Sequence, residues 1–130
     1  MKKNILIICL IIAFFGSNES NAQTNMVKQK KFMIRHTVVF KFKPSVDSIA
    51  AQNFFVAAKR LATIHGVQNF ESLRQISKKN HYEFGLSMEF ANETIYQQYN
   101  KDPLHEQFIQ QYWVPSVAEF MEIDYEPLKN

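Results

Sequence analysis

The chain has 130 residues, of which 46% are hydrophobic and 21% are charged, and its formal net charge is +3. This size and composition fit one globular domain with an apolar core. No basic stripe is interleaved with aromatic side chains, so we do not expect nucleic-acid binding. The single cysteine, Cys9, lies in an apolar run near the N-terminus, which leaves the rest of the chain without disulfide or thiol chemistry.

The N-terminus has the pattern of a signal peptide. Two lysines supply a positive start, residues 5–15 are apolar and uncharged, and small residues occupy the positions that a signal peptidase reads before a cut after Ala22. We therefore predict a signal peptide over 1–22, a flexible leader over 23–31, and export to the periplasm or the medium. The alternative is a retained anchor, but the apolar run is shorter than the roughly 20 residues that cross a bilayer. We expect no stable membrane anchor after cleavage.

The folded domain is predicted to span residues 32–127 and to begin with a strand over 32–43, where apolar residues alternate. One face of this strand carries Phe32, Ile34, His36, Val38, Phe40 and Phe42. The other face is half apolar, through Met33, Thr37 and Val39. Asp47 is then a candidate N-cap for an amphipathic helix over 50–64, which Gly66 can end in the left-handed conformation.

The second half of the chain predicts three more strands and two more helices. A weak strand covers 67–76, and a strand with clear alternation covers 82–90.

Asn92 caps a short helix, and Asp102 and Pro103 start another, since Asp suits the N-cap and Pro the first helical position. Pro115 is predicted to prevent that helix from continuing, and residues 120–125 form the last strand.

The predicted order is strand, helix, strand, strand, helix, strand, which is the α+β arrangement of a ferredoxin-like subunit. A sheet of this kind carries helices on one face only. Because the first strand is apolar on one face and half apolar on the other, both faces need cover. We expect the face without helices to meet a second copy of the chain or to enclose a ligand.

Five stretches occur in the same order as in a known family: "IRHTVVFKFK" (34–43), "IHGV" (64–67), "YEFGLSMEF" (82–90), "YNKDPLHEQF" (99–108) and "IDYEP" (123–127). On these stretches the chain resembles the stress-responsive dimeric α/β-barrel family. The resemblance implies a homodimer in which two ferredoxin-like sheets form a barrel, with a pocket between sheet and helices. It says less about activity, because members include plant stress-induced proteins and a cofactor-independent polyketide cyclase, and one fold hosts many functions.

Three polar residues are candidates for acid–base catalysis. His36 interrupts an apolar face, where burial favours the neutral imidazole; the alternative is a structural histidine with a backbone or tyrosine partner. His105 follows Pro103 in the first turn of a helix, where the helix dipole opposes protonation, and Tyr99 can polarise a carbonyl while His105 removes an adjacent proton. The alternatives are a surface histidine and a core tyrosine.

In the resembling cyclase, residues that match His105 and Tyr99 play these roles, and a histidine that matches His36 lines the same pocket. This sequence has Phe84 where that cyclase has a further pocket histidine, which implies a more apolar site. The pocket is predicted from the strand faces as Ile34, Val38, Phe84, Leu86 and Met88.

No cofactor and no metal are predicted. His65 and His81 are expected to be solvated, and His81 with Glu83 is only a pair, whereas a closed metal site needs four ligands. Three functions remain open: a binder of a small apolar molecule, a cofactor-independent enzyme of the cyclase, isomerase or monooxygenase type, and a structural dimer in stress tolerance.

Overall fold

The computed structural model describes residues 33–128. The signal peptide and the leader that we predict for residues 1–31 lie outside this range and stay predictions. Within the described range, no helix has both the length and the apolar character that crossing a membrane requires.

Four antiparallel strands form one sheet in the spatial order β2-β3-β1-β4. The strands are β1 (Ile34–Phe42), β2 (Gln68–Arg74), β3 (Phe84–Phe90) and β4 (Val117–Tyr125). Together with the helices they confirm the predicted ferredoxin-like order of elements. Strand β1 is central, paired with β3 on one side and β4 on the other, and its buried residues Ile34, Val38 and Phe40 lie on the face that the helices cover.

The first helix, α1 (Ser48–Lys59), begins at Asp47, whose carboxylate accepts a hydrogen bond of 2.8 Å from the helix backbone. It is shorter than predicted, because a 3₁₀ turn over Arg60–Thr63 replaces its last turn. Gly66 has a φ of +86°, and a Cβ at this position would collide with the side chain of Ile95. The glycine is therefore required by both the left-handed backbone and the close approach of Ile95.

The next two helices begin where the sequence predicts. Before α2 (Glu93–Asn100), the Asn92 side chain accepts a hydrogen bond of 3.0 Å from the helix backbone. Before α3 (Pro103–Phe108), the Asp102 carboxylate accepts one of 2.8 Å. Each cap satisfies a backbone N–H that has no partner within its helix.

The prediction that Pro115 stops the helical segment is wrong. After α3 the chain continues through a π-helical turn, Ile109–Trp113, and one further turn, Val114–Ser116. Pro115 lies one residue before the end of this helical run, so its missing N–H affects only the last turn. Strand β4 then starts at Val117 and not at residue 120.

The helices cover one face of the sheet, where Phe40 and Phe90 are completely buried. The Phe40 ring centroid lies 5.3 Å from that of Phe54 in α1 and 5.1 Å from that of Trp113. The Phe90 ring lies 5.0 Å from that of Tyr96 in α2. Tilted contacts between aromatic rings add to the free energy that apolar burial contributes to the core.

No described residue covers the opposite face of the sheet. The cross-strand pairs place five apolar side chains on it: Val39, Leu73, Met121, Ile123 and Tyr125. Met121 remains 45% exposed and Tyr125 52% exposed. We call this surface the open face. The same face carries the Arg35–Glu89 ion pair, and exposed apolar side chains grouped on one sheet face are typical of an interaction site.

Candidate functional site

An open cavity of about 340 Å³ lies between the sheet and the helices α2 and α3. Most of its lining is apolar: Val38, Leu61, Leu86, Met88, Phe108, Ile109, Trp113, Val114 and Phe120. The polar lining residues are His36, Tyr99, Asn100, His105 and Glu122. A mainly apolar cavity with a few polar groups is the usual composition of a small-molecule site.

Tyr99 and His105 form a pair at this cavity, with ring centroids 4.4 Å apart. The Asp102 cap and Pro103 turn the chain sharply between α2 and α3, which brings the two rings together. Tyr99 is 2% exposed, and no hydrogen bond joins its hydroxyl to another described side chain. Burial raises the pKa of Tyr99 above its ordinary value of 10.0, and the charges of Glu122 and Asp102 add to this rise. The hydroxyl therefore stays protonated and is available as a hydrogen-bond donor.

His105 is held as a neutral imidazole. Burial lowers its pKa from the ordinary value of 6.5, and this effect exceeds the opposing one of the Asn100 carbonyl group. The His105 Nδ1 atom lies 3.4 Å from the Asn100 carbonyl oxygen, which can only accept a hydrogen bond. A proton on Nδ1 leaves the lone pair on Nε2, which makes that atom the basic one.

His36 is 7% exposed and hydrogen-bonds to a carboxylate across the sheet. The register of β1 and β4 places His36 opposite Asp124, and Nδ1 of His36 donates to Oδ1 of Asp124 at 2.7 Å. The Tyr96 hydroxyl lies 3.0 Å from His36 Nδ1 and 3.0 Å from Asp124 Oδ2, and it donates to the carboxylate. This network holds the ring so that Nε2 is its free atom.

Among residues 33–128, one group of side chains has the spacing of a metal site: His36, Glu122 and Asp124. One possible ligand atom from each residue lies within 4.8 Å of the other two. The His36 Nδ1 atom is 3.9 Å from the Glu122 carboxylate. The short contact between His36 and Asp124 is satisfied as a hydrogen bond, and both carboxylate side chains are about half exposed. The prediction that no metal is required stays a prediction.

Similarity to known proteins agrees with this architecture. The model of the stress responsive A/B barrel domain matches residues 34–127. The chain belongs to the stress-responsive A/B barrel family. The resemblance found in the sequence is thereby confirmed.

Three solved structures illustrate the range of this A/B barrel fold. A Dabb family protein with a ferredoxin-like fold from Mesorhizobium loti is 52% identical, with a TM-score of 0.71 over 75% of this chain and 99% of that chain. A dimeric ferredoxin-like protein of unknown function from Thermobifida fusca is 18% identical, with a TM-score of 0.66 over 75% of this chain and 93% of that chain.

The third is the hydroxynitrile lyase from Passiflora edulis, 10% identical, with a TM-score of 0.70 over 77% of this chain and 97% of that chain. At 18% and 10% identity, the likeness concerns the fold alone. No curated protein sequence is significantly similar to this chain.

The ferredoxin-like fold brings together six of the eight site residues that the sequence suggests. His36, Tyr99, His105, Val38, Leu86 and Met88 all line the one cavity. Ile34 and Phe84 share the same sheet face but do not line it. Ile34 borders a shallow depression beside Tyr96, and the Phe84 ring packs 5.2 Å from Phe42 and 5.3 Å from Phe55.

The other two histidines are solvated, as the sequence indicates. His65 is exposed, and the His81 side chain is 59% exposed and lies 2.9 Å from the Glu119 carboxylate.

Sequence reasoning missed four polar residues at the cavity and its border: Tyr96, Asn100, Glu122 and Asp124. The signal that could have found the two acids is their alternation with Met121 and Ile123 on β4. Met121 and Ile123 lie on the open face of β4, and the two carboxylates lie on its other face. The hydroxyl of Tyr96 links α2 to β4.

Proposed function

We propose that this A/B barrel protein binds a small, largely apolar molecule with one polar end in the cavity of about 340 Å³. The observation that carries this proposal is a mainly apolar cavity whose lining includes the Tyr99 hydroxyl, which hydrogen-bonds to no other described side chain. A ligand oxygen or nitrogen that hydrogen-bonds to this hydroxyl would fix the orientation of the molecule in the cavity. The apolar remainder of the lining favours hydrocarbon over a polar metabolite.

Native mass spectrometry against a cell-envelope metabolite extract tests the binding. We expect the purified protein to retain a small apolar molecule. Ile109→Trp adds bulk to the cavity lining and should displace it, whereas the matched control Ile76→Trp alters a side chain that is 92% exposed and should not. Absence of a retained molecule, or equal retention by both variants, would contradict a ligand in this cavity.

We also propose that the protein is a homodimer that pairs through the open face. Solved structures of the same fold from Thermobifida fusca and Bacteroides fragilis are described as dimeric. The large apolar side chains that remain exposed on the open face support the same contact here.

Analytical ultracentrifugation tests the dimer. Met121→Asp places a charge on the open face and should give a monomer, whereas Ile49→Asp, on the exposed side of α1, should leave the dimer intact. A wild-type monomer, or a dimer that tolerates Met121→Asp, argues for another interface.

A second candidate function is proton transfer next to a carbonyl group, without a cofactor. It is favoured by the paired rings of Tyr99 and His105, with centroids 4.4 Å apart. The Tyr99 hydroxyl would donate to the carbonyl oxygen while Nε2 of the neutral His105 takes the proton from the adjacent carbon. The electron pair of the broken C–H bond forms the C=C bond of the enolate, and the carbonyl π pair moves onto the oxygen, whose negative charge the tyrosine stabilises.

Deuterium exchange at 4-phenyl-2-butanone in heavy water, followed by NMR, tests this chemistry. Removal of the base in His105→Gln should lower the exchange rate about 100-fold, which is within the usual contribution of a positioned base. His81→Gln is the matched control and should exchange like wild type, because His81 lies at the surface. If the wild-type protein does not accelerate the exchange, the proposal of proton transfer is contradicted and only the proposed binding function remains.

Export is a further proposal, based on the charged start and the apolar run of residues 1–15. Sequencing the N-terminus of protein recovered from a periplasmic fraction or from the medium should give Gln23 as the first residue. Recovery from the cell interior with Met1 in place would overturn it.

A further inference from the structure

Within residues 33–128, the lining of the cavity carries negative charge and no lysine or arginine. Glu122 is the one carboxylate among the described residues that form it. The Glu122 side chain is 51% exposed, so its carboxylate stands where the cavity meets solvent. A molecule that enters the cavity therefore passes the Glu122 carboxylate. An acidic molecule finds no lysine or arginine side chain among the described lining residues to neutralise its charge.

The sign of this charge does not depend on the protonation of His36. The Glu122 and Asp124 carboxylates lie 3.9 Å and 2.7 Å from His36 Nδ1. With a neutral imidazole the group carries two negative charges, and with an imidazolium it still carries one. His105 adds no positive charge, because burial lowers its pKa.

A second feature of the same cavity is the Tyr99 hydroxyl, a polar group that a ligand can contact. The Tyr99 side chain is 2% exposed, and its hydroxyl has no hydrogen-bonding side chain among residues 33–128. The charge of Glu122 contributes to the raised pKa of this hydroxyl, so the carboxylate acts on the space that Tyr99 faces. A hydroxyl can accept as well as donate, and it suits an N–H group as well as an oxygen.

We propose that the cavity selects small apolar molecules with a protonated amino group, held beside Glu122, and discriminates against carboxylates. This inference rests on the proposed binding function and adds the charge of the ligand. The hydrocarbon part contacts side chains such as Val38, Leu86 and Phe108, and the ammonium group lies toward the Glu122 carboxylate. An anion of the same shape is repelled and also leaves its charge without a partner.

Isothermal titration calorimetry with three probes that share one hydrocarbon part tests the charge preference. The probes are 4-phenylbutylamine, 4-phenyl-1-butanol and 4-phenylbutyrate. We expect the amine to bind about tenfold more tightly than the carboxylate, because attraction and repulsion at a half-exposed carboxylate act in opposite directions on the two probes. The alcohol should bind with intermediate affinity, and added salt should narrow the difference.

Two variants show whether Glu122 is the cause. Glu122→Gln should remove the preference between amine and carboxylate and still bind the alcohol, which also shows that the variant is folded. Glu83→Gln removes an exposed carboxylate outside the cavity lining and should keep the preference.

The other possible calorimetric results distinguish failure of the charge preference from failure of the proposed binding function. Equal binding of all three probes overturns the inference and leaves the binding function in place. A preference that persists in Glu122→Gln overturns the role of Glu122. Failure of all three probes to bind overturns both the inference and the proposed binding of small apolar molecules.

Discussion

Two tyrosines one helical turn apart on α2 provide a sharp test of the site, because their hydroxyl groups have different surroundings. The Tyr96 hydroxyl donates to Asp124 Oδ2 at 3.0 Å and lies 3.3 Å from Glu122 Oε1. The Tyr99 hydroxyl has no described side-chain partner and lines the cavity. The same substitution, Tyr→Phe, therefore removes a structural hydrogen bond at one position and a ligand contact at the other.

We expect Tyr96→Phe to lower the free energy of unfolding by about 1–2 kcal/mol. A hydrogen bond to a charged group contributes about 1.5–3 kcal/mol, and we place Tyr96 toward the lower end because water can reach the Asp124 carboxylate, which is 41% exposed. Tyr99→Phe should change the free energy of unfolding by less than about 0.5 kcal/mol, since no protein hydrogen bond is lost. Urea unfolding followed by circular dichroism measures both.

The two substitutions should affect catalysis in the opposite order: Tyr99→Phe should lower the rate more than Tyr96→Phe. If the chain catalyses carbonyl proton exchange, Tyr99→Phe should lower the rate about 100-fold, as loss of one oxyanion donor does elsewhere. Tyr96→Phe should retain most of the rate under conditions where it is folded. A Tyr99→Phe variant that is destabilised as much as Tyr96→Phe would refute the assignment of a free hydroxyl to Tyr99.

Three further substitutions test the fold. Phe40→Ala should lower the free energy of unfolding by about 3–5 kcal/mol, because Phe40 is completely buried among aromatic rings; a loss below about 1 kcal/mol would contradict this packing. Gly66→Ala should lower the thermal midpoint, because φ is +86° and the new methyl group meets Ile95; an unchanged midpoint would show that the turn can relax. Hydrogen bonds from Asn69 and Arg35 lower the pKa of Glu89 below 4.5, so this carboxylate stabilises the fold at neutral pH and loses that effect as the pH falls through its folded pKa. Glu89→Gln should therefore be less stable than wild type at neutral pH, with a difference that shrinks in acid; a constant difference in urea unfolding across this range would contradict the lowered pKa.

The secondary structure was largely predictable because its signals are local. Alternation along β1 and β3, and the caps Asn92 and Asp102, each depend on residues within one turn or one strand. The prediction failed at Pro115, where a proline that was expected to end a helix lies one residue before the end of a longer helical run. That distinction depends on the π-helical turn before it, which no sequence period indicates.

The candidate site was predictable in part. His36, Tyr99 and His105 were found from their residue types, their positions in predicted elements and the family resemblance, and the cavity includes all three. Asp124 was not found, because its contact with His36 joins residues 88 positions apart and depends on the register of β1 against β4. Ile34 and Phe84 show the converse error, since residues on one sheet face need not line one cavity.

The sequence by itself determined the α+β class, the order of strands and helices and the family, because short-range periodicity, capping and recurring motifs carry that information. Only the tertiary structure decided which side chains meet at the cavity and that Tyr96 and Tyr99 differ in hydrogen bonding. It also decided that, among the described residues, the cavity lining includes the Glu122 carboxylate and no lysine or arginine. The physical reason is that strand register and helix packing bring distant residues within a few ångströms, and at that range charge and desolvation set the chemistry.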